Sequence, residues 1–305
     1  MVSKGSSRIF GLDVLRGVAV LLVFTLHYFS LSQTRGFCYT NYIKYFGLGV
    51  DMFFALSGFL LLPKIFQISP IRFLKKRVNR IVPAFLIVHG LCLVFSGLFR
   101  MNTTIVDLSS FLFIQQILST EFNHINPVTW SLEIEWQFYL LIALGSKLKN
   151  RFRSSAMLVI IYFGSIYFLS LEMDHGRNIF FYAHYFILGG LCSEMVNNLK
   201  KASINSLLYT LSLPITVLCI TLFKGLESFH ILKLVAVDVL LMIILVLSSM
   251  SIKETKILSA LRWLGEVSYS FYLLHYPIIY ALIVKWKLVS LEGYLLVMLI
   301  TLISS

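Results

Sequence analysis

The sequence predicts an all-α polytopic membrane protein of about ten transmembrane helices with both termini in the cytoplasm. Three observations predict it. Apolar residues make up 58% of the 305 residues and charged residues only 13%, against about 25% charged in an ordinary soluble domain. Mean hydropathy is +0.85. Apolar segments near the length of a membrane span recur along the chain, separated by short polar stretches that are mostly basic. With no long polar block between them, the expectation is a single transmembrane domain over 1–305 with no appended soluble domain.

The spans are expected at 12–32, 46–62, 81–99, 126–145, 155–171, 179–195, 205–223, 231–251, 264–284 and 290–305. Each approaches the ~20 apolar residues that cross a bilayer. The first keeps its full length and holds Arg16, so it reads as a retained span and not a cleaved leader. The net charge of +12 would suggest nucleic acid in a soluble protein. Here its distribution follows topology. With the N-terminus inside, 17 of the 26 basic residues fall in cytoplasmic loops and eight outside, Arg16 lying within the membrane. That asymmetry is the positive-inside pattern, and no nucleic-acid partner is expected. Cys38, Cys92, Cys192 and Cys219 show no CxxC spacing, so neither a disulfide nor a metal site is expected.

Polar groups inside apolar segments carry the functional reading, because they are costly to insert and mark sites by default. Arg16 and His27 share the first span. Eleven residues at 100° each bring both side chains to one helix face, roughly 16 Å apart along the axis. Asp51 opens the second span and Glu135 lies in the fourth. By helix rise, Arg16 is roughly 6 Å and His27 roughly 22 Å from the inner edge, with Asp51 roughly 8 Å and Glu135 roughly 14 Å below the outer edge. Thus His27, Asp51 and Glu135 are expected in the outer half of the bilayer. Such an imidazole with a carboxylate partner suits general-base work on a hydroxyl. Glu133 and Glu135 differ by about 200° and are expected on opposite faces.

Residues 63–80, PKIFQISPIRFLKKRVNR, read as a cytoplasmic loop with a Ser-Pro helix start and a dense basic cluster. Two readings stand. The cluster serves topology and anionic lipid, or Arg77 and Arg80, at i, i+3, form a pocket for a phosphorylated donor. His275 lies two residues before Pro277, which kinks the helix and frees a backbone carbonyl; a structural hydrogen bond is expected there. His184 is ambiguous, and Asp238 has no partner legible in the sequence. Gly47, Gly49, Ser57 and Gly58 suit close helix approach.

Five segments in order resemble the acyltransferase-3 family of integral-membrane O-acyltransferases. They are GLDVLRGVAVLLVFTLH with Arg16 and His27, GVDMFFALSGFLL (49–61), KKRVNRIVPAF (75–85), WSLEIEWQFYL (130–140) and YSFYLLHYPI (269–278). The resemblance spans nearly the whole chain. It implies transfer of an acyl group, commonly acetyl from acetyl-CoA, to hydroxyls of extracytoplasmic or membrane-associated carbohydrate. It implies catalytic roles for Arg16, His27, Asp51 and Glu135, and donor binding by Arg77, Arg80 and Arg16. The implied partners are acyl-CoA, a carbohydrate acceptor and the lipid bilayer of a bacterial inner membrane, with no tightly bound cofactor. Some members carry a soluble esterase-like domain after the bundle, which is not expected here. The family's fourth segment usually has a second acid after the glutamate, where this chain has Trp136. Rival expectations are a transporter or flippase of a small metabolite or lipid-linked sugar, and a structural subunit without chemistry.

Overall fold

The computed structural model describes residues 9–33, 41–64, 69–98, 105–118, 125–147, 160–162, 164–165, 179–199, 229–249 and 253–305. Every regular element among them is helical. The long helices are α1 (Phe10–Gln33), α2 (Leu48–Leu61), α3 (Pro70–Leu98), α4 (Trp130–Lys147), α5 (Ile179–Leu199), α6 (Phe229–Ser249), α7 (Lys256–Trp286) and α8 (Leu291–Ser304). A 3₁₀ segment, Asn41–Gly47, leads into α2, and short turns at Ile105–Leu108, Ser109–Leu112, Gln115–Leu118 and Pro127–Thr129 fill the stretch between α3 and α4.

Among the described residues four helical stretches are long and apolar enough to cross a membrane: Phe10–Gln33, Tyr42–Lys64, Pro70–Phe95 and Ile179–Asn197. Val237–Ser249 and Leu291–Ser304 are shorter apolar helices. The span expected at 205–223 lies outside the described residues, and most of 155–171 does too. Exposed apolar stripes stand out on single helices. On α3, Ile87, Leu91, Val94 and Phe95 are exposed, as are Leu291, Leu295, Leu299 and Ile303 on α8. Spacings of three and four residues put each set on one helix face, a pattern suited to acyl chains and a liability in water.

The helix expected to start at Ser-Pro does so: α3 begins at Pro70, and Arg72, Lys75, Lys76, Arg77 and Arg80 fill its first turns, so from there the basic segment is helix and not loop. Proline is suited to a first helical position, since the N–H it lacks would have no intrahelical partner. The Ser69 carbonyl accepts from Phe73 N at 2.9 Å, closing the first turn. Hydropathy alone placed the span start at residue 81, because the charged turns before it carry no apolar signal.

The chain forms two compact units, each assembled from separated stretches. The first takes Met1–Leu12, Met52–Leu74 and Gln137–Lys253. In it, α2 and α5 cross at Gly58 and Gly189, where a β-carbon on either would overlap a backbone carbonyl of the other helix. Phe186 stacks on Phe138 at 4.0 Å and meets Phe54 at 4.8 Å between ring centroids. Asp238 acquires its partner here. His184 Nε2 lies 3.8 Å from Asp238 Oδ1, and His184 Nδ1 lies 3.1 Å from Ser165 Oγ. Cys192 is a free, buried thiol in the same unit.

The second unit takes Asp13–Asp51, Lys75–Trp136 and Glu254–Ser305. Its framework is α1 against α7 and α8. Thr255 caps α7 by accepting from Leu258 N, and Ser290 caps α8 by accepting from Gly293 N, each satisfying a donor that the helix start leaves without a partner. Between them Lys287 adopts the left-handed conformation, φ 55°, and its N–H returns to Ile283 O. Tyr28 pins this turn to α1, its hydroxyl lying 2.7 Å from Leu288 O and 2.8 Å from Ser290 O.

Gly17 and Gly265 face each other where α1 meets α7. A β-carbon on Gly17 would strike Leu261 O, and one on Gly265 would strike Asp13 O. Moving along both helices, Phe24 meets Phe271 at 5.5 Å and His27 meets His275 at 5.1 Å between centroids. Partner numbers rise together, so α1 and α7 run parallel. Thr25 Oγ1 meets Tyr294 Oη at 2.9 Å while Tyr28 reaches Ser290, so α8 runs antiparallel to α1.

Gly265→Ala is expected to destabilise the protein by about 1–3 kcal/mol through backbone overlap. Gly90→Ala, at a helical site with nothing within 4 Å of the added carbon, should be neutral or stabilising by up to about 1 kcal/mol. Thermal melting of the two variants in lipid nanodiscs checks both signs.

Candidate functional site

All six residues expected at the site, Arg16, His27, Asp51, Arg77, Arg80 and Glu135, fall within the second unit. Arg16, Arg80 and Glu135 stand at one level along α7 and His27 at another.

The first level is a charge cluster. Arg16 Nη1 donates to Asp13 Oδ1 at 3.0 Å, one helical turn back, with Arg16 21% and Asp13 5% exposed at the side chain. The other charges acting on Arg16 are Arg80 and Glu135. Glu135 and Arg80 also act on the Tyr269 phenol, which donates to Ile81 O at 2.7 Å. Four helices, α1, α3, α4 and α7, thus converge two arginines, two carboxylates and a phenol. Arg80 is exposed and Arg77 half-buried, one turn apart on α3. Two guanidinium groups with local counter-charges can accept a phosphate or another anion without leaving bare cations when it departs.

The second level is an imidazole pair. His27 Nδ1 and His275 Nε2 are 2.9 Å apart. His275 Nδ1 is 2.6 Å from Tyr272 O, and the His275 side chain is fully buried. Tyr276 packs edge-on against His27 at 5.4 Å. Tyr269 and His275 are six residues apart on α7, so the levels differ by roughly 9 Å.

Pro277 organises this end of α7. It lacks the N–H that would otherwise bond Leu273 O, and Asn126 Nδ2 donates to that carbonyl at 3.1 Å. The carbonyl freed by proline therefore has a buried side-chain donor, which also ties the 127–129 turn to α7. Nearby, Tyr272 Oη donates to Val128 O at 3.0 Å and meets Ser131 Oγ at 2.8 Å. On α4, Ser131 meets Tyr272 while the Glu135 charge acts on Tyr269, an order in which α4 runs antiparallel to α7.

Two departures from expectation follow. Glu135 stands in the arginine cluster, whereas helix rise set it at the depth of His27. Rise counts depth along an upright axis and carries no information on register against a neighbour. The group bonded to His27 Nδ1 is an imidazole, where the sequence suggested Asp51 or Glu135. Asp51 is half-buried in the first turn of α2. As expected, Glu133 and Glu135 diverge: Glu133 is fully buried and accepts from Gln116 N at 2.8 Å. Sequence reading missed Asp13 and Tyr269. The i, i+3 spacing of Asp13 and Arg16 was a usable signal; Tyr269 offered none, since one tyrosine among fifteen is unremarkable.

Comparison with known proteins decides the kinship. The family model described as an acyltransferase domain matches residues 9–305. The chain belongs to the acyltransferase-3 family. Its relatives include YrhL of Bacillus subtilis (strain 168), whose name carries a provisional assignment as a peptidoglycan O-acetyltransferase. That likeness is 28% identity over 316 residues, covering 88% of this chain and 48% of YrhL. The O-acetyltransferase OatA of Staphylococcus aureus (strain NCTC 8325 / PS 47) is 30% identical over 183 residues, 53% of this chain and 28% of OatA. The chain therefore spans about half of one relative and less than a third of the other. No solved structure matches. Within the family frame, the arginine and histidine of the first segment are the residues that head the two levels.

Asn126→Leu should leave Leu273 O buried without its donor and cost about 1–3 kcal/mol. A lowered thermal midpoint of the purified variant, with insertion unchanged, checks this.

Proposed function

We propose that this protein is a membrane O-acyltransferase that moves an acyl group, acetyl in the first instance, from a cytoplasmic acyl-CoA to a hydroxyl of an extracytoplasmic or membrane-associated carbohydrate. The observation that carries the reading is the segregation of polar groups along α7 in a chain of this family: an anion-binding arginine cluster at one level and an imidazole pair at the other. Relatives named for O-acetylation support it, and one name specifies peptidoglycan. A cell-envelope glycan is therefore the acceptor class put forward. The family match weighs against the transporter reading.

In this reading Arg77, Arg80 and Arg16 hold the phosphates of the donor at the cytoplasmic side, each guanidinium matching phosphate oxygens two at a time. Glu135 and Asp13 keep the arginines oriented between turnovers. His27 takes the proton of the acceptor hydroxyl as its oxygen attacks the thioester carbonyl. The C–O bond forms, the C–S bond breaks, and the departing thiolate receives that proton back from the imidazolium. No redox change is involved, and no metal or resident cofactor is required by this balance. Asp51 is assigned to the acceptor side.

The topology proposed is ten spans with both termini inside, in a bacterial inner membrane. Odd-numbered spans then run outward and even-numbered ones inward. The parallel pairing of α1 with α7, spans one and nine, and the antiparallel runs of α4 and α8, spans four and ten, support it. So does the basic first part of α3, on the side the positive-inside pattern assigns to the cytoplasm.

Purified protein in nanodiscs should consume labelled acetyl-CoA and transfer the label to a glycan fragment. His27→Ala should lower turnover by at least about a hundredfold while inserting normally; transfer at the native rate would sink the assigned role. Arg77→Ala and Arg80→Ala should each raise KM for acetyl-CoA about tenfold, the loss of one charge-assisted contact. Mass spectrometry of envelope glycans from cells with and without the gene should show a difference of one acetyl group per modified sugar.

A further inference from the structure

We propose that His275 is a positioning residue. It holds His27 in a single tautomer, proton on Nδ1 and lone pair on Nε2, and thereby makes Nε2 the base that meets the acceptor. The proposal rests on the reading of His27 as the group that takes the acceptor proton.

The argument runs from one end of a hydrogen-bonded chain to the other. Tyr272 O is a carbonyl and only accepts. With His275 Nδ1 2.6 Å away, that nitrogen carries a hydrogen. His275 is fully buried, its ring 5.3 Å from the Tyr272 ring and 6.4 Å from the Phe271 ring between centroids. Among the described residues its polar partners are the backbone of Tyr272 and Phe271 and the imidazole of His27, and none is anionic. A second proton would place a cation with no counter-charge in a buried site at membrane depth, at prohibitive cost. His275 is therefore neutral, and its Nε2 carries a lone pair.

His27 Nδ1 is 2.9 Å from that lone pair. Two lone pairs at this distance repel, so His27 Nδ1 carries the hydrogen and donates. A neutral imidazole has one protonated and one bare nitrogen, which leaves the lone pair of His27 on Nε2. During transfer the acceptor proton arrives at Nε2 and later leaves from Nε2 to the thiolate. The Nδ1 hydrogen stays in place throughout. While His27 is an imidazolium its bond to His275 is charge-assisted and stronger, so the partner stabilises the protonated state without itself changing charge.

The test joins a spectrum to a pair of variants. In native full-length protein labelled with ¹⁵N-histidine, the His27 resonances, identified by their loss in His27→Ala, should show a protonated Nδ1 and a bare Nε2. The reverse tautomer overturns the proposal whatever any variant does. For kinetics, His275→Gln keeps an acceptor oxygen near the position of Nε2, and His275→Leu removes it. His275→Leu should lose kcat by about a hundredfold or more with KM for acetyl-CoA within about twofold. His275→Gln should stay within about tenfold of native kcat. If His275→Leu keeps near-native kcat, or if Gln falls as far as Leu, His275 does not position His27. Should native protein transfer no acyl group at all, the functional reading falls, and the spectrum decides the tautomer by itself.

Discussion

The backbone contact of α1 and α7 at Gly17 and Gly265 is the constraint on which the rest of the second unit depends. Neither position has room for a β-carbon, so the helices meet at backbone distance and the register is set there. Ten residues further along both helices, His27 meets His275. Equal steps on two parallel helices rise equally, so the glycine crossing and the imidazole pair are two points of one register. Slipping that register by one residue would turn the glycines off the contact and separate the imidazoles together. In a membrane, where lipid competes equally well for apolar side chains, such close packing by small residues is a main source of helix association.

Buried charge sets the second condition. Arg16 lies in a membrane-length apolar helix and draws on Asp13 in its own helix and Glu135 from α4. Asp13 also orients the guanidinium, through its 3.0 Å bond to Nη1. Tyr269 links the cluster to α3 through Ile81 O. The turn that carries Arg80 is thereby tied to α7, the helix that also carries His275. One helix thus holds the spacing between the arginine level and the imidazole level.

The first unit holds a buried polar group of its own, Ser165, His184 and Asp238. The residue types are those of a nucleophilic triad, but the geometry differs. His184 turns Nδ1 to the serine, and its Nε2 is 3.8 Å from the carboxylate, beyond hydrogen-bonding range. All three are at most 2% exposed, which leaves no approach for a substrate. It is a paired core of polar residues, and it shows why residue types alone do not identify a site.

Much was legible in the chain itself. Composition decided the class, because 58% apolar residues in span-length runs have few other uses. The pairing of Arg16 and His27 on one face and the divergence of Glu133 and Glu135 followed from helical periodicity, which is local. The carbonyl freed by Pro277 inside α7 was equally local. What escaped was relational. Asn126 as the donor to that carbonyl, the Glu135 charge acting on Arg16, and Asp238 beside His184 relate distant parts of the chain. The Ser-Pro signal marked the start of α3, but hydropathy set the span at residue 81, because charged turns at a membrane surface are helical without being apolar. The sequence by itself determined which polar groups the bilayer must hold and on which helix faces they lie. Only the tertiary structure decided which of them meet, because register between helices is set by side-chain and backbone packing at crossings such as Gly17 and Gly265, and no periodicity within one helix encodes its offset against another.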